Sequence, residues 1–454
     1  MDALTMHDSI QQSSIQDLLD FLFSLHRFGI KPGLERIESL LDSLGNPQES
    51  IKSIHVAGTN GKGSVCSFLA AILQSAGYRV GLYTSPHIRV FNERIRINGT
   101  MISDADIARL AGTMMVEIKK EHTTFFEVTT AMAFAYFAEQ QVDIAIIETG
   151  MGGRLDATNV LKHPLATVIT SIDFDHMEYL GNDLETIAGE KAGIFKQGSA
   201  VIIGEERDEL IQLFKQKAAE ISTGTVSVVN EECSYNNLSM HSYCTMQLDC
   251  IIQGIGIENI SSDRVGLHQV QNILTSVLTL AHVSSMFPIE LDAVRKGIAA
   301  CSSLTGIEGR IQCLRVNPPI VLDVGHNTAC LQRLRDTLHG CGYEHQQWDI
   351  VFGVMKDKPV DEMLEILAQM SKTLHCCAPK MDRAMTSDAL CEIAQSHSIN
   401  AMQHNTVSEA IEIALQSENA VLITGSFYLA EEAVLALEQR GISFTRKDHR
   451  PEVE

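Results

Sequence analysis

Short, continuously apolar runs that end in Gly, Ser or Asp and give way to helical stretches recur along most of this chain. Ser53–Ala57, Val80–Tyr83, Asp143–Glu148, Ala166–Ile172 and Ala200–Ile203 are such runs. A strand that is apolar on both faces needs cover on both, so the pattern predicts an α/β fold around a mostly parallel sheet with helices on either side. After the first run, Val65, Phe68, Leu69, Ile72 and Leu73 share one face of a helix that should stop at Gly77. From 223 to 260 the texture becomes polar with little helix pattern, which reads as an antiparallel ribbon or irregular extension of the same domain. Stretches 263–283 and 291–300 look helical again, and turn formers gather at Ser302–Gly309, the best linker. The rhythm then restarts with strands at Ile320–Val324, Asp349–Val354, Leu374–Ala378 and Ala420–Thr424. At ~150 residues per domain, a 454-residue chain divides naturally into 1–305 and a smaller α/β domain, 306–454.

Several function classes are disfavoured by composition. Lys and Arg number 35 against 57 Asp and Glu, a formal charge of −22, which opposes general nucleic-acid binding but allows a local pocket for a small anion. No apolar run approaches the ~20 residues of a membrane helix, and no secretory signal is seen at the N-terminus. Eleven cysteines without paired metal-like spacing point to free thiols in a reducing cytoplasm.

The strongest chemical signal is Gly58-Thr59-Asn60-Gly61-Lys62-Gly63-Ser64, set between a predicted strand and a predicted helix. Such a turn lets backbone N–H groups and a helix N-terminus wrap a phosphate. Lys62 would neutralise phosphate charge, and the Ser64 hydroxyl could approach a phosphate-bound Mg2+. The spacing departs from the common phosphate loop, because a glycine separates the lysine from the serine. Three more stretches lie at predicted strand ends, where α/β sheets place ligands: Tyr83–His87, Glu148–Asn159 and Asp173–His176. They offer a hydroxyl, a carboxylate and an imidazole. Oxygen donors suit Mg2+; His176 alone reads equally as a ligand or as a hydrogen-bonded structural histidine.

These motifs, in this order, resemble the folylpolyglutamate synthases and bifunctional dihydrofolate synthases of the Mur ligase superfamily. The resemblance spans nearly the whole chain. It runs from Phe28–Arg36 through the 58–64 loop, Ser85-Pro86-His87, Glu148–Asn159, Asp175–Gly181 and Glu190–Phe195. In the second half it takes in Leu322–Asn327, Phe352–Lys358 and Thr424–Tyr428. It implies a Mur-ligase-like P-loop ATPase domain plus a smaller Rossmann-like C-terminal domain that completes the nucleotide and glutamate sites. The implied reaction is ATP-dependent amide formation, joining L-glutamate to dihydropteroate or to (tetrahydro)folate through an acyl phosphate.

Residue by residue, the resemblance implies that Asn60, Gly61, Lys62, Gly63 and Ser64 hold ATP, with Asn272, Arg310 and Asp323 contacting the nucleotide. Ser85, Glu148 and His176 would be the Mg2+ ligands. Lys62, Lys191 and His326 would be catalytic, with Lys191 carbamylated; from the residues alone Lys191 is an ordinary exposed helix lysine. Phe126, Asp156, Ala157 and Ser426 would line the substrate sites, the last on the glutamate side; Phe126 reads equally as core packing. A nucleotide bridged by both domains would exclude water on closure. Mg2+, ATP and a K+ ion are the implied small-molecule partners, and a cytoplasmic monomer with no nucleic-acid or membrane partner is expected. Glu308 stands where the family has proline, and Thr328 where a His-Asn-Pro turn is usual.

Three other readings are carried alongside: a folate-only polyglutamate synthase, a peptidoglycan-precursor ligase, and a phosphate-loop switch that forms no amide. The Asp156-Ala157-Thr158-Asn159 form favours the bifunctional enzyme. No UDP-binding front domain is seen, which counts against the peptidoglycan ligase.

Overall fold

The computed structural model describes residues 17–25, 33–242 and 244–442. Phe28–Pro32 therefore lie outside the described residues, and of the Phe28–Arg36 motif only Gly33–Arg36 is seen. Packing divides the chain into two compact units that are not contiguous in sequence. The first holds residues up to Ser85, Phe91–Glu232 and Thr275–Val294; the second holds Pro86–Val90, Cys233–Leu274 and the chain from Arg295. A single cut at 305/306 does not separate these units.

The first unit is built on an eight-stranded sheet in the order β4-β3-β2-β5-β1-β6-β7-β8. Its strands are β1 (Ser53–Ala57), β2 (Val80–Tyr83), β3 (Ile95–Ile97), β4 (Thr100–Met101), β5 (Ile144–Glu148), β6 (Ala166–Ile169), β7 (Ala200–Ile203) and β8 (Val226–Val228). All neighbours pair in parallel except β2–β3 and β3–β4. The central strands β1, β2, β5 and β6 are buried along their whole length, which is why they read as unbroken apolar runs. From β1 the chain crosses to β2 on one side, and from β5 it crosses to β6 on the other. Sheets of this kind place ligands at such a reversal, outside the carboxyl ends of the strands, here β1 and β5.

The second unit has two sheets. One is an antiparallel meander of β9 (Cys233–Ser242), β10 (Thr245–Ile252) and β11 (Ile255–Ser262). The alternating burial of β10 is that of a sheet with one covered face. The 223–260 ribbon is thus found, but most of it belongs to the second unit and not to the first. The other sheet runs β12-β13-β17-β14-β15-β16, from β12 (Gln312–Arg315), β13 (Ile320–Leu322), β14 (Trp348–Phe352), β15 (Ser371–Cys376), β16 (Ala401–Gln403) and β17 (Ala420–Thr424). Only β12 is antiparallel to its neighbour.

The α/β architecture read from the sequence holds. Part of the supposed linker is instead a short helix, Cys301–Thr305, ending at Gly306 in the left-handed region. Two helices that the strand rhythm obscured, Asp104–Glu121 and Phe125–Glu139, cover one face of the first sheet. The second is apolar nearly all round, so it carries little helical periodicity. No described helix is long and apolar enough to cross a membrane, and the eleven cysteines are free thiols.

Candidate active site

The loop after β1 is set by hydrogen bonds to the chain beyond β6. Thr59 N–H donates to the Ser171 carbonyl at 2.7 Å, and Thr170 Oγ1 donates to the Asn60 carbonyl at 2.7 Å. Thr59 Oγ1 both donates to the Asp173 carbonyl (3.1 Å) and accepts from its N–H (2.9 Å). Gly61 caps the following helix, Lys62–Ser75, at φ 92°, a left-handed conformation that a side chain would strain. That helix has no acidic residue in its first turn, so the positive end of its dipole is not offset there. The Lys62 ammonium folds back on its own loop, donating to the carbonyls of Gly58 (3.0 Å) and Thr59 (3.1 Å).

Parallel register brings a carboxylate beside this loop. Val56 pairs with Glu148 across β1 and β5, and Tyr83 pairs with Ile147 across β2 and β5. Glu148 is buried, and its Oε2 accepts the Ser85 N–H at 3.0 Å. Ser85 and Glu148 are therefore assembled at adjacent strand ends. His176 begins the short helix Met177–Leu180 in the left-handed region. Its imidazole is 44% exposed, with Nε2 4.0 Å from Asp175 Oδ2. Among the described residues, no three His, Cys, Asp or Glu side chains converge into a closed cage. A carboxylate with a serine is a donor set for a hard cation that keeps waters or phosphate oxygens, which fits Mg2+.

Lys191 is not an exposed helix lysine. It ends the helix Leu184–Ala192, is 3% exposed, and donates to the Gly58 carbonyl at 2.9 Å. Lys62 and Lys191 thus share one carbonyl oxygen. Burial, and then the neighbouring Lys62 charge, push the Lys191 amine down to about 7, while Asp175 and Asp156 pull the other way.

Phe126 lies in the first turn of the Phe125–Glu139 helix. That turn is fixed by a capping box between Thr124 and Glu127, and Arg36 closes an ion pair on Glu127 at 2.9 Å. The Phe126 ring covers Gly150 so closely that a Cβ there would lie 2.5 Å from its Cζ. Its centroid is 6.1 Å from that of Tyr83. Asp156 is 6% exposed. Its Oδ2 accepts the N–H groups of Gly150 and Met151, each at 2.9 Å. Its Oδ1 accepts the Thr158 N–H (3.0 Å) and hydroxyl (2.5 Å). Those four donors fill the acceptor positions of a carboxylate, so Asp156 is committed to its own loop and none is left for a pterin N–H. Ala157 is only 7% exposed and packs in the hydrophobic core.

In the second unit, Asp323 organises the entry turn. Its carboxylate accepts N–H groups from Ile311 (2.9 Å) and Gly325 (2.8 Å), and burial raises its pKa. Arg310 lies over the Phe427 ring at 4.9 Å, and His326 packs on the same ring with centroids 5.9 Å apart. His326 Nδ1 is 3.0 Å from the Val324 carbonyl, so Nδ1 is the donor in that contact. Glu308, in place of the expected proline, makes a two-pronged pair with Arg89 at 2.8 and 3.0 Å. Asn272 donates to Gln269 at 3.0 Å within the Leu267–Val283 helix. The Ser426 hydroxyl is used inside the fold. It caps the Phe427–Glu438 helix by accepting from Leu429 N–H and donates to the Gly353 carbonyl at 3.2 Å. Its single hydrogen is thus not offered to glutamate.

Comparison with known proteins decides what this arrangement belongs to. Residues 56–280 match the Mur ligase middle domain, and 309–427 match the Mur ligase glutamate ligase domain. A dihydrofolate synthase/folylpolyglutamate synthase from Bacillus subtilis is 35% identical over 436 residues, covering 92% of this chain and 98% of the relative. This chain belongs to the folylpolyglutamate synthase/dihydrofolate synthase family of Mur ligases. Among solved structures of the family, the Mycobacterium tuberculosis folylpolyglutamate synthase complexed with ADP superposes with a TM-score of 0.84 at 31% identity. The match covers 93% of this chain and 98% of that one. A bifunctional folylpolyglutamate synthase/dihydrofolate synthase with Mn, AMPPNP and L-glutamate bound gives 0.80 at 30% identity, covering 93% and 98%.

Within this family frame, the first unit brings together the 58–64 loop, Ser85, Glu148 and Lys191, while the second gathers Arg310, Asp323 and His326. Sequence reasoning missed the residues that hold these in place. Glu205 is 2% exposed and accepts the Ile172 N–H at 2.7 Å while pairing with Arg207, fixing the strand end that leads to His176. His55, in the middle of β1, bonds Thr158 at 2.7 Å. Neither shows a spacing pattern. The only available signal was a charged or polar residue within or directly after an apolar strand run.

Proposed function

We propose that this chain is a bifunctional dihydrofolate synthase/folylpolyglutamate synthase that joins L-glutamate to dihydropteroate and to folates by way of an acyl phosphate. The observation that carries the reading is the β1–β5 register, with Glu148 two residues short of a phosphate loop whose lysine shares a carbonyl with Lys191. A carboxylate resists attack by an amine because oxide would have to leave. In the first step a carboxylate oxygen of the acid bonds to the γ-phosphorus of ATP and ADP departs with the bridging oxygen. The amine of glutamate then attacks the acyl carbon, and phosphate leaves with the electron pair of the C–O bond and the surplus proton of the attacking nitrogen. Lys62 and the amides of Gly61, Gly63 and Ser64 hold the phosphates and screen the approach of two anions. Ser85 and Glu148, with His176, would hold Mg2+, which when bound would add screening of phosphate charge. His326 serves as the base for the proton that the glutamate ammonium loses. Phe126 offers a ring face to the pterin, and Asn272, Arg310 and Asp323 serve the nucleotide, Asp323 by holding the turn that carries Arg310.

Lys191 is carbamylated in the working enzyme. Its depressed pKa leaves a neutral amine whose nitrogen bonds to CO2 and releases a proton, placing an anion beside Lys62. A K+ ion, a monomeric state and a cytoplasmic setting complete the proposal. The test is incubation with MgATP and L-glutamate, offering dihydropteroate and tetrahydrofolate separately, with ADP release and product mass followed together. Both acids gain one glutamyl residue per ADP on this reading. ADP without amide would favour a nucleotide switch, and amide from folate alone would narrow the chain to a polyglutamate synthase.

A further inference from the structure

His55 is fully buried in the central strand β1, where the apolar pattern calls for a hydrocarbon side chain. Its Nδ1 has no hydrogen-bond partner among the described residues. A leucine would avoid that orphaned nitrogen, so the other nitrogen carries the reason for a histidine. Nε2 lies 2.7 Å from Thr158 Oγ1. The Thr158 hydroxyl gives its own hydrogen to Asp156 Oδ1 at 2.5 Å, so Nε2 must be the donor to Thr158. Burial, and then Lys196, push the imidazole down to about 3, which keeps it neutral and the direction of the chain unchanged at ordinary pH. The other oxygen of Asp156 takes the N–H groups of Gly150 and Met151. Those peptides follow Glu148 by two and three residues, and Gly150 is the surface against which the Phe126 ring lies.

We propose that His55 and Thr158 are positioning residues of the ligase. Their one-way chain of hydrogen bonds aims Asp156 at the Gly150–Met151 amides and so sets the floor beneath Phe126 on which the pterin-bearing acid is received. The inference rests on the function proposed above and assigns the network to the acid site, not to the phosphate loop. Asp156 acts through the loop it holds. Losing one link loosens the acid site while leaving ATP binding alone, because Thr59 and Asn60 are held separately by Ser171, Thr170 and Asp173.

The test is steady-state kinetics of the full chain with dihydropteroate or folate, ATP and glutamate varied in turn, on His55→Leu, His55→Gln, Thr158→Val and Thr158→Ser. Amide exchange over 144–160 is read on the same proteins by mass spectrometry. His55→Leu and Thr158→Val should raise KM for the acid by about five- to tenfold, the range of one hydrogen bond, and speed exchange at Gly150 and Met151. KM for ATP should stay within about twofold, since its loop keeps its own hydrogen bonds. Glutamine places an N–H near the position of Nε2 and serine keeps the hydroxyl, so both should restore acid KM and exchange. Acid KM and exchange unchanged in the Leu and Val variants would overturn the proposal. So would ATP KM rising in parallel, or Gln and Ser variants as impaired as Leu and Val. If His55→Leu does not fold, the Thr158 pair decides. A wild-type chain that forms no amide sinks the proposed function itself; an active wild type with indifferent variants sinks only this inference.

Discussion

Lys191 gives the sharpest quantitative prediction. Its amine is pushed down to about 7 from an ordinary 10.5 by burial and by Lys62. At pH 7 about half of it is neutral, against roughly one part in 3,000 for an exposed lysine at 10.5. Only the neutral amine reacts with CO2, so Lys191 should carbamylate on the order of a thousandfold more readily than a surface lysine. With 13C-bicarbonate at pH 7.5, wild-type protein should show one carbamate carbon resonance by NMR. Lys191→Met should lack it, and acidification below about pH 7 should bleach it as the amine protonates. Lys62→Met removes the second cause of the depression, so the signal should then need a higher pH. The linkage has a definite sign. Between about 7 and 10.5 the folded state binds fewer protons at Lys191 than the unfolded chain, so this residue makes stability rise with pH across that window. A carbamate resonance that persists in Lys191→Met, or a wild-type protein with none beyond a surface-lysine background, would refute the reasoning.

Other expectations follow from single contacts. Gly150→Ala puts a Cβ 2.5 Å from Phe126 Cζ and must displace the ring; KM for the pterin acid should rise with ATP KM unchanged in initial-rate assays. Arg36→Met strands the buried Glu127 carboxylate and should cost ~3 kcal/mol, the scale of a broken buried pair, read as a lower denaturant midpoint of the first unit. Glu148→Gln should abolish amide formation while circular dichroism and melting temperature stay near wild type, because the change is isosteric and the Ser85 N–H keeps an acceptor.

The fold was legible because its central strands are buried on both faces, and that burial writes itself into sequence as uninterrupted apolar runs ending at turn formers. Glu148 and Lys62 were legible for a related reason: strand ends and glycine turns are marked locally, whereas Arg310 by itself reads as a surface charge and was singled out only by the family resemblance. What escaped was the choice of partner. Nothing local tells that Asp156 would spend its acceptors on Gly150, Met151 and Thr158, or that Ser426 would cap a helix and bond Gly353. His55 looked like one polar letter in a strand, although its meaning lies more than a hundred residues away at Thr158. The 223–260 ribbon was readable as extended chain, but its assignment to the second unit depends on packing that periodicity does not report. Lys191 in a helical stretch gives no hint of burial, since the loop that covers it comes from Gly58.

The central claim is that the acid is activated as an acyl phosphate at the phosphate loop beside Glu148. The most direct measurement uses folate or dihydropteroate whose reacting carboxyl group carries 18O at both oxygens. Mass analysis of the inorganic phosphate released with MgATP and L-glutamate should find one 18O atom per phosphate, matched by one amide formed. Phosphate free of the label, with amide still produced, would contradict the account.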